Sequence, residues 1–183
     1  MFPPGFHAQP ILTGDAVILR PLRVEDYEAL SVAAADPETW AGHPSKDRYL
    51  DHVFRPYFRF LLNSGGTLTI RDQKTLAVIG CSRYYAAPDN PSGISIGFTF
   101  LHHAFWGGDV NFAVKLLMLD HAFKSTDTVW FHIDPDNIRS QKATEKLGAK
   151  FSYRAQLALT NATADWLVFK LTKSDWAVRR MRG

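Results

Sequence analysis

The chain has 183 residues, close to the length of one average domain, so we expect a single domain spanning residues 1–183. Hydrophobic residues make up 46% and charged residues 21%, which excludes disordered, collagen-like and coiled-coil classes. The net charge is +3, and the one dense basic cluster is Arg179, Arg180 and Arg182, so we expect no nucleic-acid partner. No apolar run reaches transmembrane length, and Cys81 is the single cysteine. These features predict a soluble cytoplasmic protein without a membrane segment or disulfide.

Taken in chain order, hydrophobic periodicity and turn residues predict an alternation of strands and helices. The predicted strands cover residues 16–21, 67–71, 76–85, 94–101, 129–133, 151–159 and 166–171. Four helices are predicted. The first is opened by residues 23–26 and continues through the pattern at positions 27, 30, 31 and 34, and the others cover residues 45–62, 111–124 and 137–147. Pro56 lies inside the second helix and is expected to kink or split it, because proline has no amide hydrogen to donate. This order of elements is typical of an α/β domain.

The junction between strand 94–101 and helix 111–124 contains Trp106-Gly107-Gly108 and is a candidate anion site. Backbone amides converge at such a turn, and the helix dipole favours negative charge. By themselves, these glycines are equally well explained by turn geometry. A second feature follows, since the next strand ends at Asp134 and leads into Asn137-Ile138-Arg139-Ser140.

Four segments stand in a specific order along the chain. They are residues 19–22 with 25–27, residues 96–101, residues 105–108 with 116–123, and residues 137–149. In this order and spacing they resemble the GNAT superfamily of N-acetyltransferases, most closely the branch of the ribosomal-protein alanine acetyltransferases. The resemblance implies an α/β GNAT fold, with a mixed, mostly antiparallel sheet whose splayed central strands are flanked by helices.

The resemblance also implies a reaction and its partners. It predicts an N-acetyltransferase that moves an acetyl group from acetyl-CoA to a primary amine by direct attack in a ternary complex. The acceptor stays open between a protein N-terminus and a small amine, antibiotic or amino acid. The enzyme is expected to act as a monomer or homodimer.

Cofactor-binding residues follow from the same resemblance. In the family, a bulged strand holds the pantetheine arm and a helix N-terminus holds the pyrophosphate. The matching residues are Phe98, Thr99, Phe100 and Leu101 for the pantetheine, and Trp106, Gly107, Gly108, Asp109, Val110, Asn111 and Phe112 for the pyrophosphate. Asn137 and Ser140 match the positions near the pantetheine and the thioester sulfur. A backbone amide near Phe100 or Leu101 is expected to stabilise the oxyanion.

Two positions depart from the family pattern. Asp109 and Asn111 stand where two small residues are usual. Thr144 stands where many relatives have a tyrosine that protonates the departing thiolate. A carboxylate at position 109 either repels the pyrophosphate, by roughly 0.7 to 2.8 kcal/mol at about 6 Å, or points to solvent or caps the helix. Ser140 is expected to contact the sulfur, the alternative being a plain helix-surface serine. These departures keep a CoA-binding regulatory module as the alternative function, and an unrelated nucleotide-phosphate binder as a third.

The general base is sought among polar residues at the strand ends, because an alkyl amine must lose a proton before it attacks. His102 and His103, just beyond strand 94–101, are the catalytic candidates, and Asp134 and Asp136 are their rivals. The histidines show no metal-ligand spacing, so no metal site is expected.

The acceptor pocket and the remaining conspicuous residues are assigned by position. In the family, the first two helices and their loop shape the acceptor pocket, so Trp40 and His43 are candidate substrate contacts. Cys81 is interpreted as a core residue rather than a nucleophile. Residues 176–182 are expected to form a solvated terminus.

Overall fold

The computed structural model describes residues 1–160 and 162–181. Arg182, the last member of the basic cluster, lies outside these residues. The strands are β1 (Leu12–Thr13), β2 (Val17–Pro21), β3 (Thr67–Asp72), β4 (Val78–Ala87), β5 (Asn90–Leu101), β6 (Thr128–Ile133), β7 (Lys150–Leu157) and β8 (Ala164–Thr172). The α-helices are α1 (Tyr27–Ala34), α2 (Asp51–Asn63), α3 (Val110–Ala122), α4 (Ile138–Lys146) and α5 (Lys173–Arg180). Short 3-10 helices cover Val24–Asp26, Pro37–Trp40 and His103–Phe105. None of the helices in this part of the chain is both long and apolar enough to cross a membrane.

Hydrogen bonding orders the strands as β1-β2-β3-β4-β5-β6-β8-β7. The β5–β6 pair is parallel, whereas the pairs β1–β2, β2–β3, β3–β4, β6–β8 and β7–β8 are antiparallel. The sheet is therefore mixed and mostly antiparallel, which confirms the predicted fold class. Strand β8 lies between β6 and β7 although it comes last in the chain.

The chain folds as two compact units. The first contains residues 1–6 and 85–97 and, among the described residues, 119–160 and 162–181. The second contains residues 7–84 and 98–118.

In the first unit, β6 is paired very differently on its two sides. It pairs with β8 along its whole length, from Thr128↔Thr172 to Ile133↔Leu167. Its parallel ladder with β5 consists of two pairs, Ile94↔Val129 and Ser95↔Trp130. The last three residues of β6 therefore continue beyond this ladder among the residues described for this unit. This early end of the ladder is the splay expected of the two central strands.

The C-terminal segment forms helix α5, and the predicted solvated terminus is wrong at Trp176, whereas residues 177, 178, 180 and 181 are exposed as expected. Trp176 in α5 is 3% exposed, and its indole Nε1 donates to Asp120 Oδ1 at 2.9 Å. The same carboxylate pairs with Arg180 at 3.2 Å. The neighbours of Trp176 in the sequence are mostly polar or charged, and its burial comes from contacts with residues distant in the chain.

In the second unit, α1 and α2 enclose an aromatic core. Buried members of this core include Leu30, Trp40, Phe54, Phe58, Leu61 and Phe100. Helix α2 begins at Asp51 and continues through Pro56, so of the two predicted effects of this proline, a kink or a split, the split is absent. Proline removes one backbone hydrogen bond near the start of the helix. The buried face of α2 supplies packing energy that offsets this loss.

A buried ion pair fixes the junction between β2 and α1. The Arg20 guanidinium donates to both oxygens of Asp26, which also accepts from Arg23 N at 2.8 Å and Thr69 Oγ1 at 3.2 Å. Burial by itself raises the pKa of Asp26, but these bonds outweigh it and the pKa lies below its ordinary value. The first of the four segments that resemble the family, residues 19–22 with 25–27, therefore has a structural role, since its Arg20 and Asp26 join β2 to α1.

Candidate functional site

Strand β5 is distorted at Phe98. This residue has φ +51°, in the left-handed region that residues other than glycine seldom adopt. A single such residue within a strand is typical of a β-bulge, which re-aims the side chains that follow. The distortion falls on the first of the four residues predicted to bind the pantetheine arm.

From Phe98 to Phe100, successive side chains alternate between an apolar and a polar environment of the second unit. Phe98 packs against the aromatic core, and Phe100 belongs to it. Thr99 instead joins a polar cluster, where its Oγ1 lies 2.7 Å from Ser82 Oγ and accepts from Lys115 Nζ at 2.7 Å. The sequence alone did not predict that Lys115 would be buried in a polar cluster. It lies among the apolar residues of α3, whereas its partners Thr99 and Ser82 lie in other elements.

Cys81 is fully buried, as predicted. Burial raises the pKa of its thiol to about 12. A thiol that stays protonated at neutral pH is a poor nucleophile, so the structure agrees with the interpretation of Cys81 as a core residue.

Two histidines follow the end of β5. Their rings stack with centroids 4.5 Å apart. His102 Nδ1 accepts from Ala104 N at 3.2 Å, so in the neutral ring Nε2 carries the hydrogen. His103 Nδ1 is buried and faces Asp36 Oδ2 at 3.5 Å. In neutral His103, a hydrogen on Nδ1 facing the carboxylate leaves Nε2 able to accept a proton.

The loop between α1 and α2 contacts this histidine pair. Asp36 caps the 3-10 helix Pro37–Trp40, and Thr39 Oγ1 accepts from His103 N at 3.2 Å. Ligand atoms of Asp36, His102 and His103 lie within 4.8 Å of one another. Within the described residues this is the group that comes closest to a metal site, although none was expected from spacing. Asp36 was not predicted as part of the site. The sequence shows that it can cap the helix that begins at Pro37, but it does not show the contact with His103.

The two predicted substrate contacts lie in the same loop. Trp40 is 1% exposed, donates from Nε1 to Ala34 O at 2.8 Å, and packs 5.1 Å from the Phe100 ring. His43 is half-buried, with its ring 5.4 Å from Trp40 and its Nδ1 accepting from Ser45 N at 2.9 Å. Trp40 therefore forms part of the core wall, and a contact of either residue with substrate stays a prediction.

The glycine turn before α3 exposes its backbone. An added Cβ on Gly107 or Gly108 would meet nothing within 4 Å. The Asp109 carbonyl accepts from Ala113 N at 2.8 Å, so the amides of Val110 and Asn111 have no carbonyl partner inside the helix. Asp109 is exposed at the position that precedes the helix.

Asn137 and Ser140 lie in the first unit. The Asn137 side chain is buried and caps α4, since its Oδ1 accepts from Ser140 N at 3.2 Å. Ser140 lies half-buried in the first turn of α4. Asp134 and Asp136 occupy the preceding turn, where Asp134 Oδ1 accepts from Asp136 N at 2.9 Å. Local turn and cap contacts thus account for the side chains of Asn137 and Asp134, and the cofactor or catalytic roles of all four residues stay predictions.

A buried histidine network in the first unit was not predicted. His132 Nδ1 lies 3.0 Å from the Tyr85 hydroxyl, and His132 Nε2 lies 3.2 Å from Asp89 Oδ1. Tyr153 donates to Asp89 Oδ2 at 2.8 Å. Burial lowers the pKa of His132 despite the nearby carboxylate, which favours the neutral ring.

Comparisons with known proteins agree with this geometry. Residues 16–150 match the model of the acetyltransferase (GNAT) domain. No curated protein matches the chain. A GCN5-related N-acetyltransferase from Brucella melitensis has a TM-score of 0.82 at 16% identity, over 98% of this chain and 86% of that chain.

Two further solved structures share the fold. A GNAT-family acetyltransferase from Bacillus anthracis has a TM-score of 0.69 at 12% identity, over 90% of this chain and 99% of that chain. Mycobacterium smegmatis RimJ, in complex with CoA-disulfide, has a TM-score of 0.63 at 21% identity, over 91% of this chain and 88% of that chain. By its matched domain and its fold, the chain belongs to the GNAT acetyltransferase family and is a transferase that moves an acyl group from coenzyme A to an acceptor.

Proposed function

We propose that this protein acetylates a primary amine, with acetyl-CoA as the donor and direct attack within a ternary complex. The observation that carries the proposal is the left-handed backbone of Phe98 in β5, followed just beyond the end of that strand by His103 with its Nδ1 facing Asp36. The chain acts as one catalytic domain. The relation to the ribosomal-protein branch is proposed from the four sequence segments that resemble it, with a protein N-terminus or a small amine as the acceptor.

The residues of the second unit fit a CoA thioester. The bulged segment 98–101 offers backbone groups to the pantetheine, and the open turn and helix start at 106–112 offer amides to the pyrophosphate. The exposure of Asp109 supports a side chain that points to solvent rather than to phosphate. In the first unit, Asn137 and Ser140 are proposed to contact the pantetheine and the sulfur.

The bound cofactor supplies the acetyl group as a thioester, and the chain supplies proton transfer and positioning. His103 Nε2 accepts the proton of the attacking amine, and the Asp36 carboxylate, 3.5 Å from Nδ1, favours the positive charge that the ring then carries. A backbone amide near Phe100 or Leu101 donates to the developing oxyanion. His102 is the weaker base candidate, because its Nδ1 already accepts from Ala104 N.

The test compares His103→Gln with His102→Gln in an assay of thiol release from acetyl-CoA against a panel of amines and peptide N-termini. We expect His103→Gln to lower kcat by about 10²- to 10⁴-fold, the usual contribution of a general base, and His102→Gln to lower it much less. Calorimetry should show unchanged acetyl-CoA affinity for both variants. The exposed His52→Gln is the matched control.

Two outcomes contradict the proposal. If His103→Gln retains wild-type kcat, His103 is not the base. If acetyl-CoA binds tightly but no acceptor in the panel releases thiol, the CoA-binding regulatory module becomes the better assignment.

A further inference from the structure

Three side chains beside the end of β5 form a cluster of possible metal ligands: Asp36, His102 and His103. One ligand atom from each lies within 4.8 Å of the ligand atoms of the other two. The cluster joins the loop after α1 to the turn after β5, and both belong to the second compact unit. All three residues are half-buried, so their side chains are held by neighbours and are still accessible to an ion from solvent.

The carboxylate and one imidazole already lie at the separation that a metal ion requires. His103 Nδ1 is 3.5 Å from Asp36 Oδ2. In a tetrahedral Zn²⁺ site, two ligand atoms that are each about 2.1 Å from the ion lie roughly 3.4 Å from each other. A Zn²⁺ ion therefore fits between these two atoms without a movement of the backbone.

The other contacts of these two side chains leave both atoms available. Asp36 Oδ1 accepts from Glu38 N at 2.9 Å and so caps the 3-10 helix, whereas Oδ2 faces His103. His103 Nδ1 is buried and has no hydrogen-bond partner in the part of the chain that the structure describes. A buried polar atom without such a partner costs free energy, and a bound ion supplies the missing partner.

His102 completes the ligand set at the cost of one hydrogen bond. Its Nδ1 accepts from Ala104 N at 3.2 Å. Ligation through Nδ1 uses the same lone pair, and ligation through Nε2 moves the ring hydrogen to Nδ1, so either mode breaks this bond. The His102 ligand atom must also move by up to about 1.4 Å to reach the ion. Rotation of a half-buried side chain provides a movement of this size.

We propose that Asp36, His102 and His103 bind a Zn²⁺ ion, and that the bound ion inhibits the enzyme. Two imidazoles and a carboxylate are typical ligands of Zn²⁺ sites that keep a fourth position for water. Mg²⁺ and Ca²⁺ prefer sites made of oxygen ligands alone, so this set disfavours both ions.

The inhibition rests on the proposed role of His103 as the general base. In neutral His103, a hydrogen on Nδ1 leaves Nε2 able to accept the proton of the amine. An ion on Nδ1 takes the place of this hydrogen and leaves the ring hydrogen on Nε2, which can then only donate. The ring therefore cannot bind Zn²⁺ and accept the amine proton at the same time.

Calorimetric titration of the full chain with ZnCl₂ tests the metal site. We expect one Zn²⁺ per chain, and an affinity at least about 10-fold lower in Asp36→Asn and in His102→Gln, because even outer-shell partners contribute about 10- to 100-fold. Asparagine can still cap the 3-10 helix, so Asp36→Asn should keep the wild-type melting temperature. His52→Gln, a change at an exposed histidine of α2, should keep the wild-type affinity. MgCl₂ should show no binding.

Mass spectrometry of the acetylated amine tests the inhibition, because Zn²⁺ also binds the thiol that the other assay detects. At saturating Zn²⁺ we expect the wild-type rate to fall by about 10²- to 10⁴-fold, the usual contribution of a general base, and EDTA to restore it. His102→Gln should need at least about 10-fold more Zn²⁺ for the same fractional loss of its own rate.

The two measurements separate the metal site from the proposed reaction. The metal site is overturned if the wild type binds no Zn²⁺, or if Asp36→Asn and His102→Gln bind it as tightly as the wild type. Binding that is weakened in both variants supports the site even if no amine is acetylated, in which case amine transfer itself fails. An unchanged acetylation rate at saturating Zn²⁺ overturns the inhibition through His103.

Discussion

Lys115 shows what one buried residue does to the pH dependence of stability. It is 7% exposed in α3, and its amine donates to Thr99 Oγ1 at 2.7 Å and Ser82 Oγ at 3.4 Å. Burial lowers the pKa of Lys115 from 10.5 to about 7. Between these two values the unfolded chain holds a proton that the folded chain has lost. Folding therefore becomes more favourable as the pH rises through this window.

Lys115→Met should remove this pH dependence. We expect the wild type to gain up to about 1.4 kcal/mol of unfolding free energy per pH unit above pH 7 relative to the variant. Ser82 and Thr99 keep their mutual 2.7 Å hydrogen bond, so the variant leaves neither hydroxyl alone. Urea unfolding at pH 7, 8 and 9 measures the effect, with the exposed Lys124→Met as control. Parallel pH profiles for wild type and Lys115→Met would show that the buried amine keeps its proton.

At the scale of elements, β4 and β5 approach each other closely beside the candidate site. A Cβ on Gly80 would overlap the carbonyl oxygen of Phe100. Just beyond β5, His102 N donates to Ile79 O at 2.8 Å, so the strand end and the first histidine are held against β4. Glycine at position 80 therefore sets the place of the segment that leads to His103.

Gly80→Ala should lower the unfolding free energy by about 1 to 3 kcal/mol, the usual cost of overpacking, because backbone rather than a flexible side chain must move. Urea unfolding measures it. Gly108→Ala is the control, since an added Cβ there meets open space, and we expect its stability to stay equal or rise slightly. A wild-type stability for Gly80→Ala would mean that the two strands can separate at no cost.

At the scale of the whole molecule, cofactor binding and folding are linked. A ligand that binds only the folded chain stabilises it by about 2.7 kcal/mol at one hundred times its Kd. For a chain of this length, each kcal/mol corresponds to roughly 2–4 °C in Tm. We therefore expect acetyl-CoA and CoA to raise the Tm by about 5–11 °C at that ratio. ATP at the same concentration should raise it much less, because it can bind the amides at 106–112 but has no pantetheine arm for β5.

Thermal unfolding with the three ligands in parallel makes this comparison. An equal rise with ATP would favour the nucleotide-phosphate binder over the acyl-CoA enzyme. No rise with any ligand would contradict cofactor binding by the folded chain.

Local sequence determined much of the element order. Alternating apolar residues, the glycine turn before α3 and the capping residue Asn137 act on their own neighbours, so each is readable without knowing the fold. Helix α5 was not predicted, and the sequence left open whether Pro56 kinks or splits α2. Both outcomes depend on buried side chains, Trp176 in one case and the apolar face of α2 in the other, whose partners lie elsewhere in the chain.

The candidate site divides in the same way. His102 and His103 were identifiable by sequence alone, because the end of a strand and the turn after it are local features. Only the tertiary structure set His103 against Asp36. Such contacts join residues far apart along the chain, and their geometry comes from the packing of whole elements rather than from any spacing in the sequence.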